Sequence, residues 1–303
     1  MKRIIVFFTV FWLGIFSVTF VTDRFQSGPD FLSRNYEGKS ETRENNPWLN
    51  SRAWALDKDD REPLASKEPG ESRFKITILH TNDFHGADME SLAKRGAVIR
   101  QCRAESQNPV LLLDAGDVFT RGRYAKRFFG ELEFEVMNYL EYDALTLGNN
   151  EFKATNDISA RQILAERIRQ ARFPVLGANV VHAKTNQYLK GVSPYIIKDF
   201  QGVKVAIFGV TATRAATYSQ LAGLQVLDPV EVGRQIVREL SPKADIIIAL
   251  THIGIDEDLI LAGKIPEIDA VIGGDSHTYM MTPEWAGSCP IVHAASNGHY
   301  IGR

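Results

Sequence analysis

The sequence predicts an α/β fold, and three observations carry that prediction. From Phe74 onward, short apolar runs alternate with longer stretches whose apolar residues recur at helical spacing. Two of the runs are separated only by Gln201-Gly202, the look of a β-hairpin. Five of the runs end in turns that place Asp, Asn or His beside glycine. Strand–helix alternation with one hairpin implies an α/β sandwich carrying both parallel and antiparallel strands.

Strands are expected at 75–81, 110–114, 144–147, 174–176, 203–210, 245–250, 270–272 and 291–294, with the hairpin partner at 195–200. Helices are expected at 90–105, 126–140, 157–171 and 229–240, with Asp157 and Asp228 where caps belong. Ahead of this region the chain changes character. Lys2 and Arg3 precede an apolar run over residues 4–21 that Asp23-Arg24 closes, a pattern that predicts export to the periplasm or the extracellular space. No clean small-x-small cleavage pattern surrounds Ser17, Thr19 and Thr22. About 18 apolar residues also suffice to cross a bilayer, so residues 1–22 read as a signal peptide or as a membrane anchor tethered through 4–21. Residues 23–73 are polar and charged without apolar periodicity, which reads as a disordered linker. That leaves 74–303 as the folded domain.

Composition narrows the function. The 303 residues are enough for one or two domains with a sizeable core, and 44% apolar with 24% charged is ordinary for a soluble globular protein. A net charge of −2 argues against nucleic-acid binding, which needs many Lys and Arg to displace counterions. An anionic substrate would need a local positive field, and bound metal is one source of it. The two cysteines, Cys102 and Cys289, have no ligand spacing around them, which disfavours a zinc–cysteine site or a disulfide framework. One bridge and two buried thiols are both compatible with the sequence.

The chemistry lies in the strand-end turns. Asp83 and His85 occur in TNDFHG, Asp114 and Asp117 in DAGD, Asn149 in LGNNEF, His252 in LTHIG, and Asp275 and His277 in IGGDSH. In α/β sheets such loops converge in the crevice beyond the carboxyl ends of the strands. Carboxylate, imidazole and amide oxygen suit Mn, Zn, Fe or Mg, and the absence of thiolate points away from structural zinc. One Asp-x-His turn is an ordinary strand end, whereas five such turns in this order predict a metal centre. His80, His182, His293 and His299 match no ligand slot and read as structural or solvated.

Taken together, these motifs resemble the metallophosphatase domain of the 5′-nucleotidase/2′,3′-cyclic phosphodiesterase family, within the calcineurin-like phosphoesterases. The resemblance covers residues 74–303 and implies a four-layer α/β/β/α metallophosphoesterase sandwich with mixed sheets and two divalent metal ions. It implies that Asp83, His85 and His277 hold one ion, that Asn149, His252 and Asp275 hold the other, and that Asp117 bridges them. A metal-bridging hydroxide would then attack the phosphorus of a small phosphate ester or nucleotide. Asp114 is expected to be structural.

Three departures from the family pattern bear on activity. The usual Gly-Asn-His-Glu-Phe-Asp reads GNNEFK, so the general-acid histidine is Asn150 and its orienting aspartate is Lys153. An amide cannot give up a proton, and losing a general acid costs on the order of 10²–10⁴ in rate. Asp275 stands where a histidine is common, a change that alters metal preference more than occupancy. The nucleoside-gripping C-terminal domain of complete members has no counterpart in the sequence, and a last strand near HYIGR is expected to be truncated. The sequence therefore points to an impaired nucleotidase-like phosphohydrolase. The alternatives are an inactive metal- and phosphate-binding pseudoenzyme, and a domain whose metals serve only its stability.

Overall fold

Runs of Val, Ile and Leu without polar alternation form strands covered on both faces, and two such sheets make the centre of the protein. The computed structural model describes residues 10–12, 74–86, 89–119, 122–153, 160–215 and 223–303. The expected linker, and all but residues 10–12 of the expected signal or anchor, lie outside the described residues.

In chain order the first strands are β1 (Val10–Trp12), β2 (Thr77–Thr81), β3 (Val110–Asp114), β4 (Ala144–Thr146), β5 (Val175–Leu176), β6 (Val180–His182), β7 (Val192–Ser193) and β8 (Tyr195–Phe200). They continue as β9 (Val203–Thr211), β10 (Leu224–Val226), β11 (Ile246–His252), β12 (Ala270–Ile272), β13 (Glu284–Ala286), β14 (Cys289–Val292) and β15 (Tyr300–Gly302). The helices are α1 (Met89–Glu105), α2 (Arg123–Phe128), α3 (Glu131–Tyr139), α4 (Ala160–Gln170), α5 (Pro229–Leu240) and α6 (Ile255–Lys264).

One sheet has the order β1-β15-β2-β3-β4-β5-β7, parallel from β2 to β7, with β15 and β1 antiparallel at its edge. The other has the order β13-β14-β12-β11-β9-β8, with a parallel centre and antiparallel edges. Alternate side chains sort into three apolar layers. Ile78, Leu111 and Leu113 pack with Val205, Ile207, Ile248 and Leu250 between the sheets. Leu79, Leu112 and Leu145 pack instead with Ile99 of α1, Phe134 of α3 and Leu164 of α4. Phe208, Ile247 and Ala249 pack with Ile236 of α5 and Leu261 of α6. The result is the four-layer α/β/β/α sandwich with mixed sheets.

Differences from the expected elements have local causes. The helix expected at 126–140 is two, because Phe129 (φ 51°) and Gly130 (φ 77°) turn left-handed between α2 and α3. A Cβ on Gly130 would lie 2.7 Å from the Phe119 ring, so space as well as φ requires glycine there. The expected helix at 229–240 is α5, and Asp228 caps it by accepting from the backbone N–H groups of Val230 and Glu231 at 2.9 Å. The helix expected at 157–171 runs as Ala160–Gln170, and Asp157 lies outside the described residues. Near HYIGR the chain forms the short strand β15, which pairs with both β2 and β1. Cys102 and Cys289 are buried, unbridged thiols.

His80 of β2 is buried with its ring against Gly302 of β15, where a Cβ would meet Nε2 at 1.8 Å. Burial, aided by His293, lowers its pKa from 6.5 to about 3. Between those values the unfolded chain binds the extra proton, so this residue's contribution to stability is lost as pH falls. Urea unfolding of wild type and His80→Gln at pH 7.5 and 4.5 tests this. The wild type should lose about 2–3 kcal/mol more than the variant, at roughly 1.4 kcal/mol per pH unit. A constant difference would show an ordinary titration.

Candidate metal centre

Parallel strands aim their carboxyl ends the same way, so the turns that follow them are the natural place for converging side chains. β2, β3 and β4 of one sheet lead into Asp83, His85, Asp117 and Asn149, and β11 and β12 of the other lead into His252, Asp275 and His277. All seven expected ligands meet there. Asp83, His85 and His277 form one group and Asp83, Asp117 and His252 a second, with the ligand-type atoms of each within 4.8 Å of one another. Nε2 of His277 and Nε2 of His85 lie 3.2 and 3.6 Å from Oδ1 of Asp83, and 2.9 Å from each other. His252 Nε2 is 3.3 Å from Asp117 Oδ1, 3.3 Å from Asn149 Oδ1 and 3.5 Å from Asp275 Oδ1. Asp83, expected on the first ion alone, is the residue common to both groups.

The backbone is bent to make this possible. Asp83, His85, Asp117, Asp275 and His277 all take positive φ, between 50° and 83°. Each such residue costs on the order of 1–3 kcal/mol, a strain that collects at functional sites. The turns interlock through Asp83 N–H to Gly116 O (2.9 Å) and His85 N–H to Asp117 O (2.8 Å). A Cβ on Gly148 would lie 2.3 Å from Asp117 Oδ1, so that turn needs glycine for close approach.

The donor set fits divalent cations. Asp83 Oδ1 is buried and makes no hydrogen bond, which is costly unless a cation satisfies it. Oxygen and imidazole donors without thiolate suit Mn, Zn, Fe or Mg. Nδ1 of His252 faces the Ala115 carbonyl at 2.6 Å, which aims Nε2 into the centre. Burial would depress the His252 imidazole, but the Asp117 carboxylate, seconded by Asp83, raises it to about 10. In return, His252 overcomes burial and holds Asp117 well below the usual carboxylate range.

Residues 76–279 match the calcineurin-like phosphoesterase family. The chain belongs to that family. It is 33% identical over 282 residues to a 5′-nucleotidase of Vibrio cholerae, over 79% of this chain and 50% of that protein. It is 32% identical over 277 residues to the trifunctional nucleotide phosphoesterase protein YfkN of Bacillus subtilis, over 81% of this chain and 19% of that protein. The 5′-nucleotidase precursor from Thermus thermophilus superposes with a TM-score of 0.64 at 27% identity, over 75% of this chain and 50% of that one. The chain therefore spans half or less of the length of these relatives.

Asn150, expected to stand at the position of the general acid, faces inward. Asn150 is fully buried; its backbone N–H donates to Asp117 Oδ1 at 2.7 Å and its side-chain amide donates to Asp117 Oδ2. The sequence reading passed over Glu151. Its buried carboxylate accepts from the N–H groups of Asp117 (3.0 Å), Val118 (2.8 Å) and Gly148 (2.7 Å), tying the turn that bears Asp117 to the turn that bears Asn149. An acid placed next to an apolar strand end was the available signal. Asp114 accepts from Thr81 Oγ1 at 2.5 Å and from Gly116 N–H at 2.9 Å, which holds the DAGD turn. Among the described residues no helix is long and apolar enough to cross a membrane.

Two outcomes follow. With its neighbouring carboxylates raising the His252 imidazole to about 10, an ion that takes it as a ligand should displace a proton. Metal affinity should therefore rise with pH, and calorimetry at pH 7.5 in buffers of different ionisation enthalpy should find about one more proton released by wild type than by His252→Asn. Glu151→Gln replaces one acceptor oxygen by an NH2 group that faces at least one of the three N–H groups, and should lower the unfolding free energy by about 1–3 kcal/mol, read from denaturant curves.

Proposed function

We propose that this centre hydrolyses small phosphate esters of the nucleotide class with two divalent ions, in an exported protein. The observation that carries the reading is the convergence of five ligand-type side chains in two groups that share Asp83, with Asn149 and Asp275 beside His252, and the buried Asp83 Oδ1 that makes no hydrogen bond. Asp83, His85 and His277 would hold one ion, Asn149, His252 and Asp275 the other, with Asp117 between them. Such ions supply Lewis-acid polarisation of the phosphoryl oxygens and a water acidic enough to attack phosphorus.

The chain's own residues then set what the site can do. Ala115 and Glu151 hold His252 and the Asp117 turn in place before substrate arrives. Asn150 has no proton to give, and its amide is committed to Asp117. Esters with good leaving groups are the substrates this arrangement serves best. The same inward-turned amide favours a second reading, a pseudoenzyme that binds metal and phosphate without turnover.

Assays of the manganese-loaded protein separate the two. Nitrophenyl phosphate should be cleaved at least about a hundredfold faster than a nucleoside monophosphate, since a missing acid costs roughly 10²–10⁴. Asp117→Ala should abolish that activity. Asn150→His combined with Lys153→Asp should raise nucleotide turnover preferentially. Equal rates on both esters would refute the missing-acid account, and no turnover by metal-loaded protein would leave the pseudoenzyme.

A further inference from the structure

Arg214 lies in the turn that follows β9, where the chain stays pinned to the centre. Ala212 N–H donates to the carbonyl of His252 at 2.9 Å, and Ala215 N–H closes the turn onto Ala212 at 2.9 Å. Nη2 of Arg214 forms an ion pair with Oδ1 of Asp275, and that same oxygen is 3.5 Å from Nε2 of His252. The guanidinium is therefore one carboxylate oxygen away from the ligand cluster. The Asp275 side chain is 3% exposed and the Arg214 side chain 52% exposed, so the cation is rooted in the cluster yet open to solvent.

Charge gives the pair a purpose. Two divalent ions contribute +4, and Asp83, Asp117 and Asp275 contribute −3, which leaves +1. A histidine at 275 would leave +2, and Arg214 restores that value beside the carboxylate that removed it. The buried Asn150, meanwhile, turns its side-chain amide to Asp117. A guanidinium is a planar, permanently charged fork of N–H donors whose geometry matches phosphate oxygens.

We propose that Arg214 is a phosphate-binding residue of this site: anchored on Asp275, it donates to a phosphoryl oxygen of the substrate and supplies the positive charge that the carboxylate at 275 removes. This rests on the phosphate-ester reading above. In an active site its loss would raise KM more than it lowers kcat, since the contact exists before the chemistry begins.

The test uses the full chain loaded with manganese, inorganic phosphate as the probe in calorimetry, and elemental analysis for bound metal. Arg214→Ala should weaken phosphate binding about ten- to a hundredfold, the worth of a charged hydrogen bond, with metal content unchanged. Arg214→Lys should recover part of the affinity, because charge returns without the fork. Wild-type phosphate affinity in Arg214→Ala would overturn the proposal while leaving the phosphate-ester reading intact. Loss of metal in Arg214→Ala would also overturn it, making Arg214 only a prop for Asp275. Loaded wild-type protein that binds no phosphate would sink both.

Discussion

Three carboxylates brought together out of water repel one another, and the rest of this molecule is arranged around that fact. Asp83, Asp117 and Asp275 all lie within 4.0 Å of the single imidazole of His252, and one oxygen of Asp83 has no hydrogen-bond donor at all. Such a cluster holds only if cations balance it and if the surrounding backbone cannot relax away. The first condition selects divalent metal; the second selects the scaffold.

The scaffold meets the second condition by rigidity. Each sheet is packed on both faces, so the strand ends that carry the ligands are held by three apolar layers. Against that frame, five of the ligand-type residues stay in left-handed conformations that an isolated turn would leave. Glu151 then couples two of these turns through three N–H groups, and the Ala115 carbonyl fixes the ring of His252. The departures from the family pattern read as one rearrangement of charge. The amide at 150 leans on Asp117, and the carboxylate at 275 pairs with Arg214.

Much of the scaffold was legible because its signals are local. β3, β8 and β12 occupy the expected residues, since an apolar run bounded by polar or glycine turns needs no distant partner to be recognised. α5 was legible from Asp228 and its apolar spacing. α6 was not, because it starts at Gly254 with no side-chain cap, and its acidic first turn looks like a solvated loop. The join of α2 and α3 was hidden because the contact of Gly130 with Phe119 belongs to tertiary packing.

The sequence by itself determined the ligand types, their order along the chain and their places at strand ends, since these follow from residue chemistry and short-range pattern. Only the tertiary structure decided which side chains share a neighbour: that Asp83 belongs to both groups, that Asn150 faces Asp117, that Glu151 binds three N–H groups, and that Arg214 meets Asp275. Those contacts join residues from 2 positions apart, Asp83 and His85, up to 194, Asp83 and His277, across two sheets. Their distances are set by strand register and sheet packing, which no local stretch of the chain encodes.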